Sequence, residues 1–451
     1  MHEFEMKNDE GKKYVPFQSA DFPRAIVHFD GDSFFSSVET VMNYKLRGLP
    51  VITGGERGAA TSLSYEAKAR GAHRGMPLRD IRRLCPDAVV VASDYTSYSI
   101  FAERMYAIVR RYTPEVQEYS IDECFADITG LDRQYGKTYE EVALMIKRDL
   151  EASLGLTFGV GLAPNKVLAK VASKHRKPAG FTSIPASGIS EFLSALPIGN
   201  IWGIGRSSSI MFQKLGVMTA GDLATKPERW LAENRIGKGY REIWHELNGR
   251  FIKDLSESEL DDIGSIIKSR TFSPPSFDRE FVLSQLSKNI EAACIKARRH
   301  RVRSQMLTVY LKTQSFSYKS LELSLPVATA NQNDIIRLVS ERFDLMYRPN
   351  TPYRATGVSL RGIRTEQGFA SDLFGESARA DQTREIFKAV DRLNRAYGSE
   401  TVYLGSSMRA IKASDAEHER EKWNILKRKP FFVGVENRRK TIDLPYLGKA
   451  R

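Results

Sequence analysis

The stretch Tyr119-Ser120-Ile121-Asp122-Glu123-Cys124-Phe125-Ala126-Asp127-Ile128 places two adjacent carboxylates inside an otherwise apolar, strand-like run. Ionised carboxylates avoid apolar surroundings unless another charge compensates them, and a divalent cation is a common compensator. A second apolar run, Ala25-Ile26-Val27-His28-Phe29-Asp30, also ends in an acid. Two such strands can together hold a pair of Mg²⁺ ions for an in-line phosphoryl displacement.

The two neighbouring acids set a geometric condition on this site. Adjacent residues of a regular strand point to opposite faces, so Asp122 and Glu123 can converge only near a bend or a hairpin tip. We therefore predict a bend there. The alternative is a surface hairpin with solvated acids, but Ile121, Phe125 and Ile128 favour burial around the pair.

Length and composition exclude several classes of protein. With 451 residues and 41% hydrophobic content, the chain should form several domains with real cores. It has no signal peptide and no apolar run long enough to span a bilayer. Its three cysteines are too few for a disulfide framework and do not pair with the seven histidines at zinc-ligand spacing. These features predict a reduced, cytoplasmic protein with no membrane partner.

The charge of the chain indicates its kind of partner. The net charge is +13, and a basic surface attracts polyanions over long range. A soluble basic enzyme with no such partner is the plainer alternative. Basic residues crowd two segments, however, which favours nucleic acid. These residues are Lys296, Arg298, Arg299, Arg301 and Arg303 in the first segment, and Lys427, Arg428, Lys429, Arg438, Arg439 and Lys440 in the second.

Periodicity predicts the organisation of the chain. Asp32 is expected to cap a helix whose buried side carries Phe34, Val38 and Val41. Strands and helices alternate around the acidic strands, which predicts an α+β domain with helices on one face of a mostly antiparallel sheet. Further helices are predicted over 139–154, 165–174, 282–299 and 384–397, and later strands over 306–312, 320–325 and 356–363.

Three motifs carry a resemblance to a known family. They are Phe29–Glu39, Tyr119–Phe125 and Gly159–Lys170, and they resemble the signatures of Y-family translesion DNA polymerases in order and spacing. The likeness covers roughly residues 24–405. The pattern after residue 366 is similar to bacterial members of the polymerase IV and polymerase V catalytic-subunit type.

The resemblance implies an α+β multidomain fold of the right-hand polymerase kind. Its expected parts are a flexible leader (1–23), a ferredoxin-like palm (24–185) with small fingers inserted at about 36–95, a helical thumb with a helix-hairpin-helix (186–260), an α/β little finger (265–365) and a tail (366–451). The implied activity is template-directed, low-fidelity addition of dNTPs to a primer 3′ end across damaged templates.

The resemblance also assigns the catalytic residues. Asp30 and Asp122 would bridge two Mg²⁺ ions, and Glu123 would bind the ion on the primer side. The backbone carbonyl of Gly31 would be a further ligand, at a position where family members usually carry a larger residue. Phe35 is the implied steric gate that excludes a ribose 2′-hydroxyl, although it could be an ordinary core residue.

The remaining implied sites bind nucleotide, DNA and a partner protein. Phe34, Phe35, Tyr65, Lys68 and Lys177 would contact the nucleotide, with Lys68 standing where the family usually has arginine. Gly203-Ile204-Gly205 resembles a helix-hairpin-helix turn that binds a DNA phosphate. Ala370-Ser371-Asp372-Leu373-Phe374 resembles a sliding-clamp peptide, with Ala370 in place of the usual Gln and a simple linker as the alternative.

The expected partners are primer–template DNA, dNTPs and a sliding clamp, for a monomer associated with the bacterial nucleoid. A non-catalytic adaptor is the rival function, but such a protein would be expected to lose the metal-binding acids. A nucleotidyl cyclase-like palm shares the two-metal chemistry but does not account for the DNA-gripping segments.

Overall fold

The computed structural model describes residues 21–54, 58–252, 255, 264–365, 376–398 and 400–414. They fall into two compact units, with the division between residues 257 and 258. Among the described helices, none combines the length and apolar character that a bilayer-spanning segment requires.

The first unit contains two sheets. Their strands are β1 (Ile26–Gly31), β2 (Val51–Gly54), β3 (Ala60–Leu63), β4 (Val89–Val91), β5 (Val116–Ser120), β6 (Glu123–Asp127), β7 (Phe158–Ala163) and β8 (Phe181–Ser183). The larger sheet has the order β5-β6-β1-β7-β8 and the smaller one the order β3-β2-β4. In the larger sheet, only the β7–β8 pair is parallel among the described pairs, so the prediction of a mostly antiparallel sheet is confirmed.

Helices in this unit lie on both faces of the larger sheet. They are α1 (Phe34–Met42), α2 (Tyr65–Ala69), α3 (Leu78–Leu84), α4 (Tyr95–Val109), α5 (Leu131–Tyr135), α6 (Tyr139–Leu154), α7 (Lys166–His175), α8 (Ile189–Ser194), α9 (Arg206–Lys214), α10 (Ala220–Ala224), α11 (Glu228–Glu233) and α12 (Lys238–Leu247). Val27 and Phe29 of β1 pack with α4 and α6, whereas Ile26 packs with α7. The prediction that helices cover one face only is therefore wrong.

Two glycines in β7 explain why α7 can lie so close to the sheet. A Cβ atom at Gly161 would stand 2.1 Å from the carbonyl oxygen of Ala169, and one at Gly159 would stand 2.5 Å from that of Ser173. Real Cβ atoms cannot approach backbone so closely, so only glycine permits this packing.

The helices α8 to α12 form a small helical segment that is anchored to the start of α7. The buried Glu246 of α12 accepts the backbone N–H of Val167 at 2.9 Å. The side-chain amide of Asn165, which is the N-cap of α7, donates to the carbonyl oxygen of Glu246 at 2.7 Å. The N-terminus of α7 is thereby fixed to this segment.

The second unit is a four-stranded antiparallel sheet with helices packed on one face. Its elements are β9 (Ile266–Ser276), α13 (Arg279–Arg299), β10 (Val302–Thr313), β11 (Tyr318–Thr329), α14 (Gln332–Arg342), β12 (Tyr353–Thr365) and α15 (Glu376–Tyr397). The strand order is β11-β10-β12-β9, and α13 and α14 share the core with the sheet. Sequence periodicity missed β9, because most of its side chains are exposed or half-buried and it contains Pro274 and Pro275.

Candidate active site

Strand pairing brings the predicted acids together. The antiparallel β1–β6 register sets Asp30 directly opposite Glu123, so their side chains share one face of the sheet. Asp122 lies in the tight turn between β5 and β6, outside the alternation of either strand, which confirms the predicted hairpin tip. One carboxylate oxygen from each of Asp30, Asp122 and Glu123 lies within 4.8 Å of the other two.

The hairpin tip is held by local hydrogen bonds. The backbone N–H of Gly31 donates to the carbonyl oxygen of Asp122 at 2.9 Å, which ties the end of β1 to the turn. The hydroxyl of Ser120 donates to Asp122 Oδ1 at 2.5 Å. Tyr106 of α4 donates in turn to the carbonyl oxygen of Ser120 at 2.5 Å. Asp122 is thus oriented by groups on three separate elements.

Two lysines compensate the charge of the acids. Lys170 of α7 forms an ion pair with Glu123. Lys177 contacts Asp30 Oδ1 at 2.5 Å and Asp32 Oδ1 at 3.3 Å. Burial raises the pKa of Asp30 despite the opposing charge of Lys177. Burial also opposes ionisation of Glu123, but its contacts with His28 and Lys170 outweigh burial and lower the pKa of Glu123 to about 2.

His28 is a site residue that sequence reasoning missed. Its ring is fully buried, with Nδ1 2.8 Å from Ser173 Oγ and Nε2 3.4 Å from Glu123 Oε2. Burial lowers the pKa of His28 to about 4, so the imidazole is neutral at pH 7. The available signal was its position two residues before Asp30, which places both side chains on the same face of β1.

The prediction that Asp32 caps the following helix is wrong. The N-cap of α1 is Ser33, and it makes no side-chain capping bond. The Asp32 carboxylate instead accepts hydrogen bonds from Tyr65 OH at 3.2 Å, Thr157 Oγ1 at 3.0 Å and Ala179 N at 2.6 Å. These partners, together with Lys177, outcompete the first-turn N–H groups of α1 for the buried carboxylate.

The expected triphosphate contacts surround Asp32. Lys68 donates to Ser33 Oγ at 2.7 Å, and its ammonium lies 4.2 Å from the centroid of the Tyr65 ring. Burial, followed by the charge of Lys177, lowers the pKa of Lys68. Tyr65 and Lys68 of α2 therefore lie near Asp30 and Lys177, although Lys177 comes from a distant segment of the chain.

The two adjacent phenylalanines of α1 have different surroundings. The Phe34 side chain is 3% exposed and belongs to the core, so its ring is not positioned to contact a nucleotide. The Phe35 ring is half-buried and stacks on Tyr98, with centroids 4.3 Å apart and planes at 10°. Sequence reasoning did not identify Tyr98, because it lies in α4, far along the chain.

The predicted DNA contacts differ in their exposure, and one of them is engaged in an ion pair. Gly203, with φ of 93°, and Gly205 shape the turn that begins α9. In the second unit, Lys296, Arg299 and Arg301 are exposed and Arg303 is half-buried. Arg298 instead donates to both carboxylate oxygens of Asp391 at 2.8 Å, which makes it a structural residue rather than an open phosphate ligand. The clamp-type residues Asp372, Leu373 and Phe374 lie outside the described residues.

Comparison with known proteins places the chain in a family. The profile of the impB/mucB/samB family matches residues 29–174, and that of the family's C-terminal domain matches residues 264–373. DNA polymerase IV of Caulobacter vibrioides is 31% identical over 389 residues, covering 85% of this chain and 94% of that protein. DNA polymerase IV 1 of Bacillus subtilis is 29% identical over 86% of this chain and 94% of its own length.

A solved structure shares the fold. A Y-family DNA polymerase chimera of Dbh and Dpo4 is 24% identical, with a TM-score of 0.63 over 76% of this chain and 99% of that chain. These relatives, together with the acid cluster, define the class of the protein as a nucleotidyl-transferring polymerase. The chain belongs to the impB/mucB/samB family, the Y-family translesion DNA polymerases. It is a low-fidelity DNA-directed DNA polymerase, and the family uses divalent metal ions.

Substitutions of Asp30 and of Glu123 are expected to change the free energy of unfolding with opposite signs. In metal-free buffer at pH 7, Glu123→Gln should lower the free energy of unfolding by up to about 3 kcal/mol, because folding lowers the pKa of Glu123 from 4.5 to about 2. This stabilisation is present above pH 4.5 and is lost as the pH falls through about 2. Asp30→Asn should raise the free energy of unfolding at pH 7, because the folded pKa of Asp30 is raised.

The Asp30 effect should disappear below pH 3.8, where the carboxyl is protonated in both states. Urea unfolding of both variants at pH 7 and pH 3 measures these differences, with exposed Glu103→Gln as the control. Changes of the same sign for Asp30→Asn and Glu123→Gln at pH 7 would contradict this account of the electrostatics.

Proposed function

We propose that this polymerase adds dNTPs to a primer 3′ end across damaged template by two-metal-ion phosphoryl transfer with Mg²⁺. The observation that carries the proposal is the meeting of one oxygen from each of three carboxylates within 4.8 Å at the β5–β6 hairpin tip. Hard oxygen donors of this kind suit Mg²⁺. In this proposal Asp30 and Asp122 are shared between the two ions, Glu123 serves the primer-side ion, and the carbonyl of Gly31 completes the donor set.

The metal ions, when bound, would activate the primer 3′ oxygen and stabilise the leaving pyrophosphate. The residues of the chain supply position and charge. Lys177, Tyr65 and Lys68 are proposed to hold the triphosphate, where two ammonium groups can neutralise phosphate oxygens. The ammonium of Lys68 is a compact charge, whereas the planar guanidinium of arginine can donate two parallel hydrogen bonds. Lys68 therefore fixes the orientation of a phosphate less strictly than arginine would.

The proposed domains follow from this function. Residues 24–185 would be the palm, with fingers at about 36–95, and residues 186–260 and 265–365 would be the thumb and the little finger. Phosphate contacts at Gly203 and Gly205, and at Lys296, Arg299, Arg301 and Arg303, would give salt-sensitive binding without sequence preference. We propose that the enzyme works as a monomer on primer–template DNA of the bacterial nucleoid.

The variant Asp122→Asn tests the proposed catalytic role. It should reduce primer extension by at least about a thousandfold, because it removes one anionic ligand while keeping the hydrogen bond from Ser120. Extension is measured on a gel with a labelled primer, and DNA affinity by fluorescence anisotropy. DNA affinity should stay near the wild-type value.

Exposed Glu118→Gln in the same hairpin provides the matched control and should extend the primer normally. Absence of extension by well-folded wild type would instead support the adaptor function. Full activity of Asp122→Asn would remove the acid cluster from the mechanism.

The proposed steric gate is tested by Phe35→Ala. Removal of the ring opens space beneath the sugar, so the ratio of kcat/KM for ribonucleotides to that for deoxynucleotides should rise by about a hundredfold or more. Single-nucleotide incorporation with matched dNTP and rNTP measures this ratio. Phe34→Leu is the control, since that ring lies in the core. An unchanged ratio in Phe35→Ala would refute the gate.

We propose that Asp372, Leu373 and Phe374 dock on the bacterial sliding clamp, with the two apolar side chains filling a hydrophobic pocket. The support is the sequence pattern alone. Leu373→Ala together with Phe374→Ala should weaken clamp affinity at least about tenfold, whereas Ala370→Gln should strengthen it. Surface plasmon resonance on immobilised clamp measures both, and unchanged affinity in the double variant would identify the segment as a linker.

A further inference from the structure

A group of aromatic side chains joins the thumb to the catalytic hairpin. Trp202 donates its indole Nε1–H to the hydroxyl of Tyr119 at 3.2 Å, and the two rings meet edge to face with centroids 5.3 Å apart. Trp202 directly precedes the Gly203-Ile204-Gly205 turn, and Tyr119 lies in β5 just before the turn that holds Asp122. The contact therefore links the proposed DNA-phosphate turn to the acidic hairpin.

Lys170 connects these rings to Glu123. Its ammonium lies 3.9 Å from the centroid of the Tyr119 ring and 5.2 Å from that of Trp202. The same ammonium forms the ion pair with Glu123. Lys170 is only 4% exposed, and cation–π attraction is strongest when the cation is desolvated. The two rings thus fix the position of the ammonium that fixes Glu123.

The ion pair orients the Glu123 carboxylate. Lys170 and His28 both approach Oε2, and within the described part of the chain no residue bonds Oε1. Glu123 also offers an oxygen within 4.8 Å of those of Asp30 and Asp122. When one carboxylate oxygen is held from two sides, the rotation of the group is restricted and the other oxygen keeps a fixed direction.

We propose that Trp202, Tyr119 and Lys170 couple DNA binding at the Gly203–Gly205 turn to the affinity of Glu123 for a divalent cation. The inference rests on the proposed function, because it requires both the phosphate contact and the metal site. A DNA phosphate at the turn restrains Trp202, which holds Tyr119 and thereby Lys170 against Glu123. All three are positioning residues, since they act through Glu123, and the coupling must be reciprocal between cation and DNA.

The test measures cation binding rather than turnover. Mn²⁺ is titrated into the full chain alone and with primer–template DNA, without dNTP, and free Mn²⁺ is read by electron paramagnetic resonance. Wild type should bind Mn²⁺ roughly fivefold more tightly with DNA present, the effect of about one hydrogen bond. The same DNA is used for every variant, so that Mn²⁺ bound by DNA itself cancels in the comparison.

Trp202→Phe should reduce the ratio of the Mn²⁺ affinity with DNA to the Mn²⁺ affinity without DNA to about one. Phenylalanine has no N–H group that could donate a hydrogen bond to the Tyr119 hydroxyl. Tyr119→Phe removes the same bond from the other side at a ring that is 43% exposed, so the fold should tolerate it. The double variant should lose no more than either single variant, since both remove one shared interaction. DNA affinity measured with and without Mn²⁺ should show the same loss of coupling.

Trp244→Phe is the matched control. It removes another indole hydrogen bond of the thumb, to the carbonyl oxygen of Lys226 at 3.1 Å, and should keep the wild-type ratio. A wild-type ratio in both Trp202→Phe and Tyr119→Phe, or an equal loss in Trp244→Phe, would overturn the coupling alone. Mn²⁺ binding that is unaffected by Asp122→Asn would overturn the proposed metal site, and the coupling with it.

Discussion

The antiparallel register between β1 and β6 is the constraint on which the active site depends. It sets Asp30 opposite Glu123, and the backbone hydrogen bond from the N–H of Gly31 to the carbonyl oxygen of Asp122 fixes the hairpin tip beside them. Side chains alternate along a strand, so a slip of one residue would send Asp30 and Glu123 to opposite faces. No adjustment of rotamers could restore the cluster. The buried apolar residues on the other face, Val27 and Phe29, hold the register because they cannot be exposed without loss of the core.

The helix α7 supplies the charge that this face requires. It carries Lys170, and the segment just after it carries Lys177. The helix reaches the acids only because Gly159 and Gly161 allow it to lie directly on β7. Its N-terminus is held in place by the carboxylate of Glu246. Two glycines and one buried acid, none of them a member of the three-acid cluster, therefore determine where the compensating ammonium groups lie.

Sequence reasoning succeeded where the decisive interaction is local. The hairpin tip at Asp122 follows from strand alternation, and α6 was predicted over its full length because its apolar period lies within the element itself. It failed where partners are distant. Asp32 was expected to serve the adjacent helix, but its partners Thr157 and Ala179 come from much later in the chain.

The same limit applies to charged and aromatic residues. Arg298 lies in a basic segment, which is typical of a phosphate ligand. Only the fold reveals that its guanidinium donates to both carboxylate oxygens of Asp391. Lys170 sits inside a motif that the sequence already highlighted, yet nothing local indicates that its ammonium faces Tyr119 and Trp202. Residue type and spacing identified which segments form the site. The pairing of charges within it depends on long-range packing.

The opposite pKa directions of Asp30 and Glu123 follow from how the positive charge is distributed. Glu123 has Lys170 together with the ring of His28. Asp30 shares Lys177 with Asp32, so two buried carboxylates divide one ammonium between them. Burial therefore dominates at Asp30, whereas the partner groups dominate at Glu123. A divalent cation can compensate the charge at Asp30 that the shared ammonium of Lys177 leaves uncompensated.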